Sequence, residues 1–137
     1  MRYLLDTNIC IYLMKVHPPE VVERFRRIPM GHVGMSVVTY AELRHGVERC
    51  PPVDRVLAEK ALDRFLMLVP VIALDQRAAE SYGVIAAAVR DRRRDALDRL
   101  IAAHAIGMGV TLITNNEADF KDYPGLSVEN WVTQPTG

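Results

Sequence analysis

The sequence predicts an α/β fold with a mostly parallel central sheet flanked by helices on both faces. Two observations predict it. Short apolar runs, at Tyr3 to Leu5, His32 to Ser36, Val69 to Ala73, Val110 to Ile113 and Leu126 to Val128, have the length of buried strands. Between them lie segments whose apolar residues recur at helical spacing, the alternation expected when helices cross over a parallel sheet. At 137 residues the chain fits one domain, 1–137, large enough to bury about two-thirds of its unfolded surface.

Each element has a local reason. Tyr3 to Leu5 is a buried strand running into Asp6, and Asn8 is expected to cap a helix through about Lys15. Pro18-Pro19 opens a second helix, amphipathic to about Arg27. His32 to Ser36 reads as a strand, followed by a helix from about Val38 to Glu48. Pro51-Pro52 makes the turn into a long helical pattern over Val53 to Leu68. Val69 to Ala73 is a short strand ended by Asp75, and Gln76 to Arg90 returns to helical spacing. Leu97, Leu100, Ile101, His104, Ala105 and Met108 mark the inner face of a further helix, which Gly107 and Gly109 are expected to end. Val110 to Ile113 and Leu126 to Val128 complete the strands, with Trp131 packing near the C-terminus.

Composition excludes several classes. Half the residues are hydrophobic and 25% are charged, which argues against disorder. Lys plus Arg and Asp plus Glu number 17 each, so a nucleic-acid partner would have to meet local basic clusters rather than a basic whole. Cys10 and Cys50 have no CxxC companion, which excludes a zinc ribbon and fits reduced, partly buried thiols. Asp6, Thr7 and Asn8 interrupt the apolar N-terminus, and Ile9 to Met14 is far below a membrane span. A soluble, cytoplasmic protein is the expectation.

In parallel α/β sheets ligands sit beyond the carboxyl ends of the strands. The polar residues that follow strands here, Asp6, Asn115 and Asn116, should therefore converge, with helix-borne Glu42 and Asp98 aimed at the same spot. Each has an ordinary alternative. Asp6 fits a strand-to-helix capping residue, and Thr39 to Glu42 fits a capping box. Asp98 fits a helix N-cap, and Thr114-Asn115-Asn116 a turn that starts a short helix. Carboxylates placed together repel unless a cation neutralises them, and an all-oxygen set selects a hard ion such as Mg²⁺ or Mn²⁺. Such an ion activates water and stabilises charge on a phosphodiester.

Leu-Leu-Asp-Thr-Asn-Ile-Cys, Ser-Val-Val-Thr-Tyr-Ala-Glu-Leu-Arg-His-Gly and Asp-Arg-Leu-Ile-Ala-Ala-His-Ala stand in this order along the chain. Together with Thr-Asn-Asn-Glu-Ala-Asp-Phe and Pro-Gly-Leu-Ser-Val-Glu-Asn-Trp, they resemble the PIN-domain ribonucleases, and among them the VapC toxins of bacterial toxin–antitoxin pairs. The resemblance spans nearly the whole chain. It implies a PIN-like three-layer domain and a Mg-dependent endoribonuclease, with Mn as a substitute. It places Asp6, Glu42 and Asp98 at the family's acidic metal positions. Asn116 stands where many relatives carry a fourth acid, with Asp119 close behind; either is a candidate fourth metal ligand, and a one-ion site is expected. Asn8 and Thr114 match polar positions that orient the acids. Arg90 to Leu97 departs from the Gly- and Pro-containing turn that many relatives have before Asp98.

The resemblance further implies a structured tRNA substrate, with an initiator-type tRNA slightly favoured, while the residues themselves do not choose between tRNA and rRNA. It implies a homodimer and a VapB-type antitoxin that would block the site and carry any DNA contact. Arg92, Arg93 and Arg94 form the strongest basic cluster and are candidate contacts for RNA phosphates, against the alternative of a solvated helix end balanced by Asp91 and Asp95. Ile9, Tyr12, Leu13, Tyr40, Leu43 and Val47 suggest surfaces for association, with core packing as the plainer reading. His17, His32, His45 and His104 form no recognisable catalytic pair, and His104 reads as a core residue. Two other classes compete with a toxin: a PIN-type nuclease for RNA processing without an antitoxin, and a binding module whose acidic cluster is idle.

Overall fold

The computed structural model describes residues 1–89 and 96–132. Five strands, β1 (Tyr3–Leu5), β2 (Val33–Ser36), β3 (Val71–Ile72), β4 (Thr111–Ile113) and β5 (Ser127–Glu129), form one sheet in the order β3-β2-β1-β4-β5. All four pairings are parallel, with Leu4 opposite Gly34 on one side and Leu112 on the other. The α/β class expected from the alternation is the architecture observed.

The helices are α1 (Thr7–Lys15), α2 (Pro19–Arg26), α3 (Val37–Glu48), α4 (Pro52–Leu66), α5 (Gln76–Ala88), α6 (Ala96–Met108) and the single turn α7 (Glu117–Phe120). Successive strand residues face opposite sides, so the sheet feeds two cores. Tyr3, Leu5, Met35 and Ile113 pack with Ile9, Val21, Leu43, Leu62 and Phe65, which places α1 to α4 on one face. Leu4 and Leu112 pack with Ile85, Ile101, Ala102, Ala105 and Phe120, which places α5, α6 and α7 on the other. Trp131 closes the first core edge-on against Tyr3, with ring centroids 5.8 Å apart.

Chain order explains where a site belongs. The chain winds outward from β1 through β2 to β3, then returns past β1 to lay down β4 and β5. The direction of winding reverses between β1 and β4, and a crevice opens beyond their carboxyl ends.

Several local expectations need correction. Asp6, not Asn8, is the N-cap of α1: its Oδ1 accepts from Ile9 N at 3.0 Å, and Asn8 lies inside the helix. Ser36, not Thr39, caps α3, because the chain turns as soon as β2 ends. The capping box therefore does not form, and Glu42 is released from that role. Gly107 lies within α6, and only Gly109, at φ 69°, turns the chain out of it. Leu97 is 49% exposed because the first turn of α6 stands clear of the sheet. Ile9, Leu43 and Val47 are buried, with Tyr12, Leu13 and Tyr40 packed against them, so the core accounts for these residues. The large exposed apolar side chains lie elsewhere, with one group along α4 and just beyond it at Val53, Val56, Leu57, Met67 and Leu68. Both cysteines are free thiols, Cys10 fully buried and Cys50 half-buried. No helix among the described residues is long and apolar enough to cross a membrane.

Candidate active site

β1 ends at Leu5, and the next residue must both leave the sheet and start a helix. Asp6 does so with extended backbone, its N–H donating to the Ile113 carbonyl of β4 at 3.0 Å. The side chain is 6% exposed and tied into the first turn of α1. Asp6 thus serves both of the roles set against each other in the sequence: it caps α1 and it opens onto the crevice.

Asp6, Thr7, Asn8, Glu42, Asp98, Ile101, Asn116 and Phe120 line one cleft of about 180 Å³. Three carboxylates more than thirty residues apart in sequence therefore meet at the switch point. Glu42 comes from the second turn of α3 and accepts a 2.7 Å hydrogen bond from Thr7 Oγ1. Asp98 comes from the first turn of α6. Ile101, one turn further along α6, and Phe120 of α7 supply the apolar wall.

The electrostatics carry the mark of crowding. The Asp6 carboxyl is pushed up from 3.8 to about 6, chiefly by burial. A hydrogen bond from the Thr114 side chain and the N–H groups of Ile9 and Asn8 pull it down, while the charge of Glu42 raises it further. The Glu42 carboxylate is thus close enough to disfavour the charge on Asp6. Among the described residues, no three Asp, Glu, His or Cys side chains close into a ready-made ion cage. The donor set nevertheless fits a hard cation, because every polar side chain on the cleft wall offers oxygen and none is a thiolate or imidazole.

The other residues singled out in the sequence divide. Asn116 lines the cleft, and its amide Nδ2 donates to Asp119 Oδ2, so Asp119 stands behind Asn116 rather than on the wall. Thr114 is fully buried and accepts from Asn116 N at 3.0 Å while bonding Asp6, which joins the two strand ends. Asn8 touches Asp6 through its backbone N–H and lines the rim. Asn115 turns away and donates to Tyr12 Oη at 2.8 Å. Arg92, Arg93 and Arg94 lie outside the described residues. His104 is buried against Ser36 Oγ, as its place on the apolar face of α6 suggested. Sequence reasoning missed Thr7; the available signal was a hydroxyl directly after Asp6, at the start of a helix.

Beside the cleft, and sharing Thr7 and Glu42 with it, a larger groove of about 680 Å³ runs between α1, α3 and α4. Ile11, Met14, Leu43, Val47, Ala58 and Leu62 supply its apolar lining.

Residues 3–126 match the model of the PIN domain family. The tRNA(fMet)-specific endonuclease VapC of Shigella flexneri is 35% identical over 133 residues, covering 96% of this chain and 98% of that protein. Ribonuclease VapC2 of Rickettsia felis is 32% identical, again over 96% and 98% of the two chains. The fold superimposes on the crystal structure of DNA-bound VapBC from Salmonella typhimurium with a TM-score of 0.86 at 30% identity, covering 96% of this chain and 99% of that one. Against VapBC-1 from nontypeable Haemophilus influenzae the TM-score is 0.84 at 31% identity, over 96% and 98%. A parallel sheet with an acidic cleft at its switch point, carried on a sequence alike from end to end, identifies the chain as a member of the PIN-domain family and, within it, of the VapC ribonucleases.

Proposed function

We propose that this chain is the toxin of a type II toxin–antitoxin pair and that it hydrolyses RNA phosphodiesters with Mg²⁺, for which Mn²⁺ substitutes. The observation that carries the reading is the convergence of Asp6, Glu42 and Asp98 on one cleft at the carboxyl ends of β1 and β4. Asp6, Glu42 and Asp98 would hold the ion, Asn116 would add a neutral oxygen, and Asp119 would hold Asn116 in place. When bound, the ion lowers the pKa of a coordinated water and offsets charge on the phosphodiester.

The chain supplies the rest. The bonds from Ile9 N and Thr114 keep Asp6 facing the cleft, and Thr7 holds Glu42 from the opposite wall. Ile101 and Phe120 exclude water from one side and strengthen the charge interactions within. Three carboxylates with a neutral asparagine favour one ion over two. Arg92, Arg93 and Arg94, four to six residues before Asp98, stand close enough in sequence to meet RNA phosphates beside the cleft. The Shigella flexneri and Salmonella typhimurium relatives are both named for tRNA(fMet), which supports an initiator-type tRNA as the substrate.

The VapBC complexes among the structural relatives support a cognate VapB-type antitoxin, with DNA reached through that partner. A homodimer of the chain itself is part of the same proposal. The groove between α1, α3 and α4 is the place for the antitoxin's inhibitory segment. Its lining is largely apolar, with Lys15, His45 and Arg49 among its polar residues, and it shares Thr7 and Glu42 with the cleft, so a peptide laid in it would also cover those two residues.

The deciding experiment incubates wild type and Asp6→Ala with purified tRNA in Mg²⁺ and in excess chelator. Cleavage by wild type in Mg²⁺ alone, leaving 5′-phosphate ends, is expected. Cleavage that survives chelator, or that Asp6→Ala retains, overturns the assignment. Sequencing the fragments identifies the cut site, and unbiased cleavage across tRNAs would discard the initiator tRNA.

A further inference from the structure

Glu42 and Asp98 come from two helices that the chain builds more than forty residues apart, and the cleft requires those helices to keep a set spacing. A buried polar contact joins them: His104 Nδ1 of α6 lies 2.8 Å from Ser36 Oγ, at the start of α3. Both residues are buried, His104 at 1% and Ser36 at 0% exposure.

We propose that His104 is a positioning residue, locking the middle of α6 to the β2–α3 junction through Ser36 and so setting the separation of Glu42 and Asp98. This rests on the metal-dependent nuclease reading given above.

Four features of the structure support the lock. Ser36 cannot drift, because it is the last residue of β2, opposite Ile72 of β3, and its Oγ accepts from Val38 N at 3.1 Å to cap α3. With one lone pair on Val38 N, the hydroxyl keeps both its hydrogen and a second lone pair, so it can bond His104 Nδ1 in either imidazole tautomer. The placement of the acids is symmetrical: Ser36 precedes Glu42 by six residues and Asp98 precedes His104 by six. At 1.5 Å of helix rise per residue, the contact sits about 9 Å along each helix from its acid. The sequence around His104 also fits a close approach, since Ala102, Ala103 and Ala105 are fully buried and Val38 packs in the same core as Ile101.

Core filling alone would not require the polar atoms. Burial lowers the His104 pKa, against the Asp75 charge and the Ala73 carbonyl, and Nε2 reaches no partner in hydrogen-bond geometry. An apolar residue of similar size would avoid both costs. Besides its contact with the Ala73 carbonyl, the imidazole adds a directional bond to Ser36.

The test compares wild type with Ser36→Ala, His104→Leu, the double variant and His104→Asn, whose amide oxygen can occupy the Nδ1 position. Mn²⁺ binding is read by electron paramagnetic resonance without RNA, kcat and KM on purified tRNA, and folding by circular dichroism and thermal melting. Ser36→Ala and His104→Leu should each weaken Mn²⁺ binding and lower kcat by about tenfold. KM should change by less than about twofold. The double variant should be no worse than either single one, and His104→Asn should recover most of the loss. Folded His104→Leu with wild-type Mn²⁺ affinity and kcat overturns the proposal, as do multiplicative losses or no rescue by asparagine. Should His104→Leu fail to fold, Ser36→Ala and His104→Asn decide alone. Asp6→Ala, run in parallel, separates the two levels. If it binds Mn²⁺ and cleaves like wild type, the nuclease site itself is misplaced. If it is dead while the Ser36 and His104 variants behave as wild type, only the lock fails.

Discussion

Asp6 illustrates how one side chain meets two demands whose costs differ in sign. Its cap on α1 stabilises the fold, whereas burying its charge beside Glu42 opposes it. Because its pKa in the fold is about 6 against 3.8, the native state keeps a proton that the unfolded chain has lost between those values. That contribution to stability is full below about pH 4 and is gone once pH passes about 6. At pH 7.5, without divalent ion, the ionised Asp6 destabilises the fold by up to roughly 3 kcal/mol. Asp6→Asn, which keeps a good capping residue, should therefore melt higher than wild type at pH 7.5, by about 1–3 kcal/mol in equilibrium unfolding. The gain should shrink toward pH 4, while cleavage falls at least about a hundredfold. Mg²⁺ should stabilise wild type and leave Asp6→Asn unmoved; an equal response of the two melting curves would contradict a site at Asp6. Thr7→Val, which removes the 2.7 Å bond to Glu42, should lower kcat by about tenfold and leave the helix intact, as checked by kinetics and circular dichroism. Asp6 itself could be picked out from the sequence because it directly follows a strand. Thr7 could not, since its partner lies 35 residues away.

The close approach of α5 and α6 determines how a helix-borne acid reaches the cleft. A Cβ added at Gly107 would meet the backbone of Arg77 and Ala78 at 3.0 Å, so the glycine lets the end of α6 seat against the first turn of α5. Helix propensity alone would make Gly107→Ala favourable by about 0.5–1 kcal/mol. The collision is with backbone held by the Asp75 cap, which cannot swing aside, and overpacking of this kind costs about 1–3 kcal/mol. The clash should win, and chemical denaturation should give a net loss of about 1 kcal/mol. By contrast Arg24→Ala, which breaks the half-exposed ion pair to Glu129, should change stability by less than about 1 kcal/mol in the same measurement. Helical spacing was enough to place α6, but not to tell that its glycine at 107 is interior packing while that at 109 ends the helix.

On the proposed reading, the whole molecule works through two adjoining surfaces, a polar cleft for the reaction and a largely apolar groove for the antitoxin. They share Thr7 and Glu42, so occupancy of one bears on the other. Ala58→Arg or Ala61→Arg would place a long charged side chain in the groove without touching the cleft. Either variant should cleave RNA as wild type does and melt within about 0.5–1 kcal/mol of it. Inhibition by the co-expressed antitoxin should weaken at least about tenfold, measured by titrating antitoxin into the cleavage assay. Undiminished inhibition would place the partner elsewhere. The balanced charge of the chain leaves RNA attraction to local groups, so the salt dependence of binding should fall when Arg92, Arg93 and Arg94 are replaced by alanine.

Sequence by itself determined the elements and their kind, because strand length, helical spacing and proline punctuation are local properties. It also picked out the acids, since charged residues directly beyond strands and on helix starts are conspicuous in a chain of ordinary composition. Only the tertiary structure decided which of them meet. Asp6, Glu42, Asp98 and Asn116 share a cleft because the sheet reverses its winding between β1 and β4, whereas Asn115, next in line, turns to Tyr12. The Thr7–Glu42 and Ser36–His104 contacts likewise span 35 and 68 residues. Such pairings depend on where packed helices come to rest, and no local pattern of residues encodes that distance.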